Sequence, residues 1–142
     1  LDATWEGEES NKMRSRNGVD GFLGGDRTKI ELPEVQLNAL KAINKTGTPV
    51  VFVLLAGSAI SFNGLEQELE GILAAWYPGQ RGGDAVADVL FGNYNPAGRL
   101  PVTFYSSTKE LAHFEDYNMR AGKGFTYRYY KGEALYPFSC TY

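Results

Sequence analysis

The sequence predicts an α/β domain, a mostly parallel sheet flanked by helices in a three-layer α/β/α sandwich, and three observations carry that expectation. Val50-Val51-Phe52-Val53-Leu54-Leu55-Ala56 is a continuous apolar run rich in β-branched residues, the pattern of a central strand covered on both faces. Helical and apolar segments alternate around it at the intervals of αβ units. Seventeen Gly and six Pro in 142 residues supply more tight turns than a helical bundle uses.

Taken in order, Asp2 to Gly25 shows no apolar periodicity, and Ser10 to Gly18 is polar and mixed in charge, so the segment reads as a long loop. Loops of this length inside compact domains tend to be functional or disordered. Pro33 suits the first position of a helix running to about Asn44, with Val35, Ala39, Ala42 and Ile43, and Leu40 beside them, as its core face. Thr46-Gly47-Thr48-Pro49 stops that helix before the Val50 to Ala56 strand. A short helical segment from Leu65 to about Glu70 precedes a second apolar run, Gly71 to Tyr77, which ends at Pro78-Gly79. The third helix spans Asp84 to Phe91, with Ala85, Val86, Val89 and Leu90 at helical spacing and Asp84 at the positive end of the dipole. After the turn formers Asn93 to Gly98, Leu100 to Tyr105 returns as a strand, and from Ser106 onward the chain reads as irregular and rich in Tyr and Phe.

Composition removes several function classes. A net charge of −3 with no run of consecutive Lys or Arg lacks the basic footprint of nucleic-acid binding. No stretch approaches the roughly 18 apolar residues of a membrane-spanning helix, so no membrane partner is expected. With a single cysteine, Cys140, neither an intrachain disulfide nor a Cys-based zinc site can form, and Cys140 reads as a packed or terminal bystander. The opening Leu1-Asp2-Ala3-Thr4-Trp5-Glu6 has neither the basic nor the apolar part of a signal peptide, and a chain that starts on Leu looks like an excised segment.

Ligands of parallel sheets bind beyond the carboxyl ends of the strands, which singles out Gly57-Ser58, Trp76 to Gly83 and the segment before Asp26. Gly79-Gln80-Arg81-Gly82-Gly83-Asp84 lies where a phosphate loop would, but lacks the Gly-Lys-Ser/Thr ending and puts Asp84 where the anion would sit. His113, the one histidine, is far from any nucleophile elbow, none of which is present, and reads as part of a surface turn. Glu6, Glu8 and Glu9 form a carboxylate cluster with no histidine to complete a metal site, so neither a metal nor a cofactor is expected. Glu6-Gly7-Glu8-Glu9 does suit acid/base chemistry, because mutual repulsion and burial against Trp5 raise a carboxyl pKa toward that of a general acid. A charged loop of this kind is otherwise an ordinary solvated face.

The string Ala74-Ala75-Trp76-Tyr77-Pro78-Gly79-Gln80, then Gly82-Gly83, then Ala87-Asp88-Val89-Leu90-Phe91-Gly92-Asn93-Tyr94-Asn95-Pro96-Ala97-Gly98-Arg99-Leu100-Pro101-Val102-Thr103-Phe104 resembles the C-terminal α/β domain of family 3 glycoside hydrolases. Gly25-Asp26-Arg27 before Leu32-Pro33, Thr48 to Val51, Tyr127-Arg128-Tyr129 and Leu135-Tyr136-Pro137-Phe138 extend the resemblance over nearly the whole chain. It implies part of a retaining, exo-acting enzyme that removes terminal β-linked glucose, with β-xylosidase activity or a non-catalytic carbohydrate-binding or interaction module as alternatives.

By the same resemblance, an N-terminal barrel domain is the partner and supplies the Asp nucleophile, a β-linked oligosaccharide is the substrate, and Glu6 is the acid/base, with Glu8 and Glu9 one short shift away. It divides the chain into an active-site loop region at 1–25 and an aromatic-rich tail at 106–142 of a truncated sandwich domain, and places Ser10 to Gly24 at the substrate rim. The family's Gly-Tyr-Gly-Leu-Ser-Tyr ending is here Phe138-Ser139-Cys140-Thr141-Tyr142. A periplasmic or secreted location is expected over a cytoplasmic one.

Overall fold

The computed structural model describes residues 21–23, 26–113 and 115–140. The described residues open with a minimal antiparallel pair, β1 (Phe22–Leu23) inside the end of the segment that the sequence pattern assigns to a loop and β2 (Asp26–Arg27) just past it. Two-residue strands carry no readable periodicity, which is why the pattern misses them.

Helix α1 (Glu34–Asn44) starts one residue after the position that Pro33 suggests. The Pro33 carbonyl accepts from the amides of Gln36 and Leu37, and Glu34 and Lys41 sit at the ends whose partial charges they offset. A turn through Lys45 and Gly47, the latter at φ 75°, ends the helix and leads into β3 (Val51–Leu54). A 3-10 helix (Leu65–Glu68) follows, and then β4 (Gly71–Ala74), which pairs with β3 in parallel, Val51 opposite Gly71 and Leu54 opposite Ala74.

The core lies between α1 and this pair. Leu32, Leu37 and Leu40 pack with Phe52, Leu54, Ala56, Ile60, Phe62 and Leu65, and Phe52 meets Phe62 edge to face at 5.0 Å. Bonds from Leu32 N to Ser61 O and from Ser61 N to Ile30 O clip the approach to α1 onto the segment after β3. The helix turns a different face inward from the one its pattern suggests. Leu40 is buried as expected, but Val35 is 81% exposed and Ile43 53%, and Ala39 and Ala42 are exposed with them. The helix carries two apolar sectors, and the neighbouring Leu32 and Phe62 draw Leu37 and Leu40 inward. Likewise β3 is covered on one face, where Phe52 and Leu54 are buried, while Val51 and Leu55 on the other are 52% and 39% exposed.

Helix α2 (Gly82–Leu90) begins two residues before Asp84, half-buries Val86 and Val89, and leaves Ala85 and Leu90 exposed. Of the expected strand at Leu100 to Tyr105, β5 (Phe104–Tyr105) alone is regular. Pro101 has no amide to donate, and the Leu100 N–H and C=O are already bonded to Cys140 O and Ser139 N. The tail holds a 3-10 turn (Thr108–Glu110), one turn of helix, α3 (Thr126–Tyr129), and β6 (Ala134–Tyr136), which pairs antiparallel with β5. Helices and a parallel pair make this an α/β fold, with a small sheet among the described residues.

Candidate active site

Because β3 and β4 run the same way, Leu55 to Ser58 and Ala75 to Gly79 leave the pair from one side, and two of the three loops singled out by sequence meet there. The Tyr77 ring lies over Gly57, so close that a Cβ at residue 57 would stand 2.7 Å from the ring. Among the described residues, the buried Ser58 hydroxyl oxygen has no hydrogen-bond partner. Trp76 leaves β4 at φ 53°, a conformation rare for a bulky side chain, and this turns its indole onto Phe104 at 6.4 Å, edge to face. Phe104, fully buried, also meets Tyr136 at 6.0 Å. Trp76 is thus a packing residue that joins the parallel pair to the C-terminal strand.

The loop after it is equally structural. Gly79, at φ 74°, turns the chain so that its carbonyl accepts from Gly82 N, and the Pro78 ring occupies the space where a side chain at 82 would begin. Arg81 and Asp84 pair at 2.9 Å, both well exposed, an arrangement worth little to stability. The exposed Asp84 carboxylate at the helix start stands where an anion would sit, so the loop does not suit a phosphate.

Three other described carboxylates make side-chain bonds that hold the chain locally. Glu66 accepts from Phe62 N at 2.7 Å and from the Ser61 hydroxyl, and Glu68 accepts from Asn44. Glu110, missed by sequence reasoning, pairs with Lys123 at 2.7 Å and accepts from the Tyr130 hydroxyl, while Tyr130 packs edge to face on Tyr105 at 4.7 Å. Glu110 is one of four acids in the aromatic tail, with Glu115, Asp116 and Glu133, and no spacing singles it out. The Arg128 guanidinium is held above its usual pKa by its hydrogen bond to Tyr127, with no change of charge at neutral pH. His113 is exposed in a turn, as expected, with Nδ1 accepting from Glu115 N, and Cys140 is half-buried. Among the described residues no group of three His, Cys, Asp or Glu could hold a metal ion, and no helix is long and apolar enough to cross a membrane.

Glu6, Glu8 and Glu9 lie outside the described residues, as does the rim segment up to Asp20. The described part of the candidate site is therefore the scaffold at the strand ends.

Comparison with known proteins gives that scaffold its family. Residues 2–141 match the model described as "Glycosyl hydrolase family 3 C-terminal domain". A "Xylan 1,4-beta-xylosidase" of Xylanibacter ruminicola is 53% identical over 120 residues, and a "Periplasmic beta-glucosidase" of Salmonella typhimurium is 36% identical over 121. These matches cover 84% and 79% of this chain but 14% and 16% of the relatives, so the chain spans about one-seventh of their length. Among solved structures, a GH3 exo-β-xylosidase in complex with a xylobiose aziridine probe matches at a TM-score of 0.71 and 30% identity, over 84% of this chain and 16% of its own. A β-glucosidase from Listeria innocua in complex with glucose matches at 0.59 and 29%, over 84% and 17%. The chain belongs to glycoside hydrolase family 3, as part of its C-terminal domain.

Proposed function

We propose that this chain is the part of a retaining exo-β-glycosidase that supplies the acid/base carboxylate, Glu6, in an active-site loop region at 1–25. The observation that carries the reading is the family match from residue 2 to 141, which includes the Glu6-Gly7-Glu8-Glu9 loop. In the first step an Asp from the N-terminal barrel domain attacks the anomeric carbon while Glu6 gives its proton to the departing glycosidic oxygen. In the second, the Glu6 carboxylate takes a proton from the water that releases the sugar. The first step needs the protonated acid, and the neighbouring acids Glu8 and Glu9 in the sequence are the feature that would favour that form. The chemistry requires the two carboxyls about 5–5.5 Å apart, so this domain works only when docked on the barrel.

For the sugar, the expectation from sequence was a terminal glucosyl residue. A xylosyl residue is the reading that the 53% identical relative supports, since that protein is named a xylan 1,4-β-xylosidase, and a glucosidase stands at 36%. Aryl β-xylosides and aryl β-glucosides assayed with the complete polypeptide separate the two. The proposal expects first-formed sugar of retained anomeric configuration by NMR, and no turnover by residues 1–142 alone. Inverted product, or turnover by the isolated chain, contradicts it.

A further inference from the structure

Within the Trp76 to Gly83 segment, Trp76, Pro78, Gly79 and Gly82 hold the fold, and Tyr77 differs from them in leaving its ring in solvent. Its exposure is 63%, yet the ring is not loose. The hydroxyl-bearing edge rests on Gly57, with Cε2, Oη and Cζ at 2.7, 3.0 and 3.2 Å from where a Cβ of residue 57 would stand. A larger residue at 57 would push the ring away, so the fit depends on glycine. The backbone on either side fixes Tyr77 further. Trp76, at φ 53°, is anchored by its contact with Phe104, and Pro78 confines Tyr77 to extended conformations.

This ring stands where ligands of α/β sheets bind, beyond the carboxyl ends of β3 and β4. Other exposed aromatics lack that position. Phe91 and Tyr94 come after the nine residues of α2, roughly 13 Å of helix, and Tyr117 and Tyr127 belong to the tail.

We infer that Tyr77 is an aromatic wall of the leaving-group subsite, where it stacks on the pyranose ring of a departing saccharide. The inference rests on the proposed function, in which this domain gives a proton to the glycosidic oxygen. That oxygen leaves with the departing sugar, while the Asp of the barrel attacks the anomeric carbon from the opposite side. Groups that this domain contributes therefore face the departing sugar. Glucose and xylose units in β-linked chains carry their hydroxyls equatorially, so their axial C–H groups make flat apolar faces that suit an aromatic ring. A ring held in place before the sugar arrives avoids the entropy cost of ordering it on binding. Tyr77 thus favours a saccharide over a small alcohol as the leaving group, whichever sugar occupies the non-reducing end.

Steady-state kinetics on the complete polypeptide test this with two glycosides of the preferred sugar, a β-linked disaccharide and the methyl glycoside. Only the first releases a sugar as its leaving group. In Tyr77→Ala the ratio of kcat/KM for the disaccharide to that for the methyl glycoside should fall about tenfold, chiefly through a higher KM for the disaccharide. Tyr77→Phe keeps the ring and should hold that ratio within about threefold of wild type. An unchanged ratio in Tyr77→Ala overturns the inference. If both substrates then suffer alike and the unfolding midpoint drops, the ring packs on the remainder of the polypeptide instead. An equal fall in Tyr77→Phe and Tyr77→Ala also overturns it, since the hydroxyl and not the ring would be acting. Wild-type polypeptide that hydrolyses neither substrate removes the glycosidase reading and this inference with it, whereas a wild type active on both, with no change of ratio in the variant, removes this inference alone.

Discussion

The Pro78 ring sits where any side chain of Gly82 would begin, its Cβ 2.9 Å from an added Cβ. A proline ring cannot swing aside, so the contact fixes how α2 leaves β4. Gly82→Ala should destabilise the protein by about 1–3 kcal/mol, the cost of overpacking. Gly83, one residue on, has nothing within 4 Å of its added Cβ. There the same substitution should stabilise by up to about 1 kcal/mol, because alanine is the better helix former. Urea midpoints of the two variants should move in opposite directions.

Glu110 ties the tail to itself through Lys123 and the Tyr130 hydroxyl, with its side chain 17% exposed. Removing it leaves the half-buried Tyr130 hydroxyl with one acceptor fewer, the Glu133 carbonyl remaining, and Glu110→Ala should cost about 1–2 kcal/mol. Lys123, at 54% exposure, should tolerate Lys123→Ala with a loss under about 1 kcal/mol. Limited proteolysis between residues 111 and 124 should accelerate for the first variant and hardly for the second.

Phe62 is fully buried against Phe52 and anchors the segment after β3. Phe62→Ala should destabilise by about 3–5 kcal/mol in thermal or urea unfolding, through lost contacts and the cavity left behind.

How far the sequence carries this picture depends on what each pattern encodes. Val50 to Ala56 announces a strand through its β-branched apolar run, although Val51 and Leu55 stay exposed on one face, and Pro33 with Gly47 brackets α1 through backbone chemistry that is local. Which side of α1 faces the sheet is not local. Its two apolar sectors look alike in periodicity, and Leu32, Ile60 and Phe62 decide for Leu37 and Leu40 from a distance in sequence. Strand β6 escapes notice for a similar reason, since Ala134–Tyr136 is defined by pairing with β5 and by the Tyr136 contact with Phe104. At the candidate site, the Trp76 to Gly83 motif identifies the family while its residues, Tyr77 apart, serve packing and turns. Glu6 to Glu9 has no apolar spacing at all, so the expectation placed on it rests on residue type and family resemblance alone.

The central claim is that Glu6 moves the proton, and the complete polypeptide with Glu6→Gln tests it on two substrates of the preferred sugar. A glycoside with a poor, alkyl-type leaving group needs protonation, and its kcat/KM should fall about 10²–10⁴-fold, in line with loss of general acid catalysis. A dinitrophenyl glycoside departs without help, so its first step should be nearly unchanged. Added azide should then restore turnover and yield a glycosyl azide of retained configuration, because azide attacks the glycosyl-enzyme without a general base. Full activity of Glu6→Gln on the alkyl glycoside, with the loss appearing instead in Glu8→Gln or Glu9→Gln, would contradict the assignment.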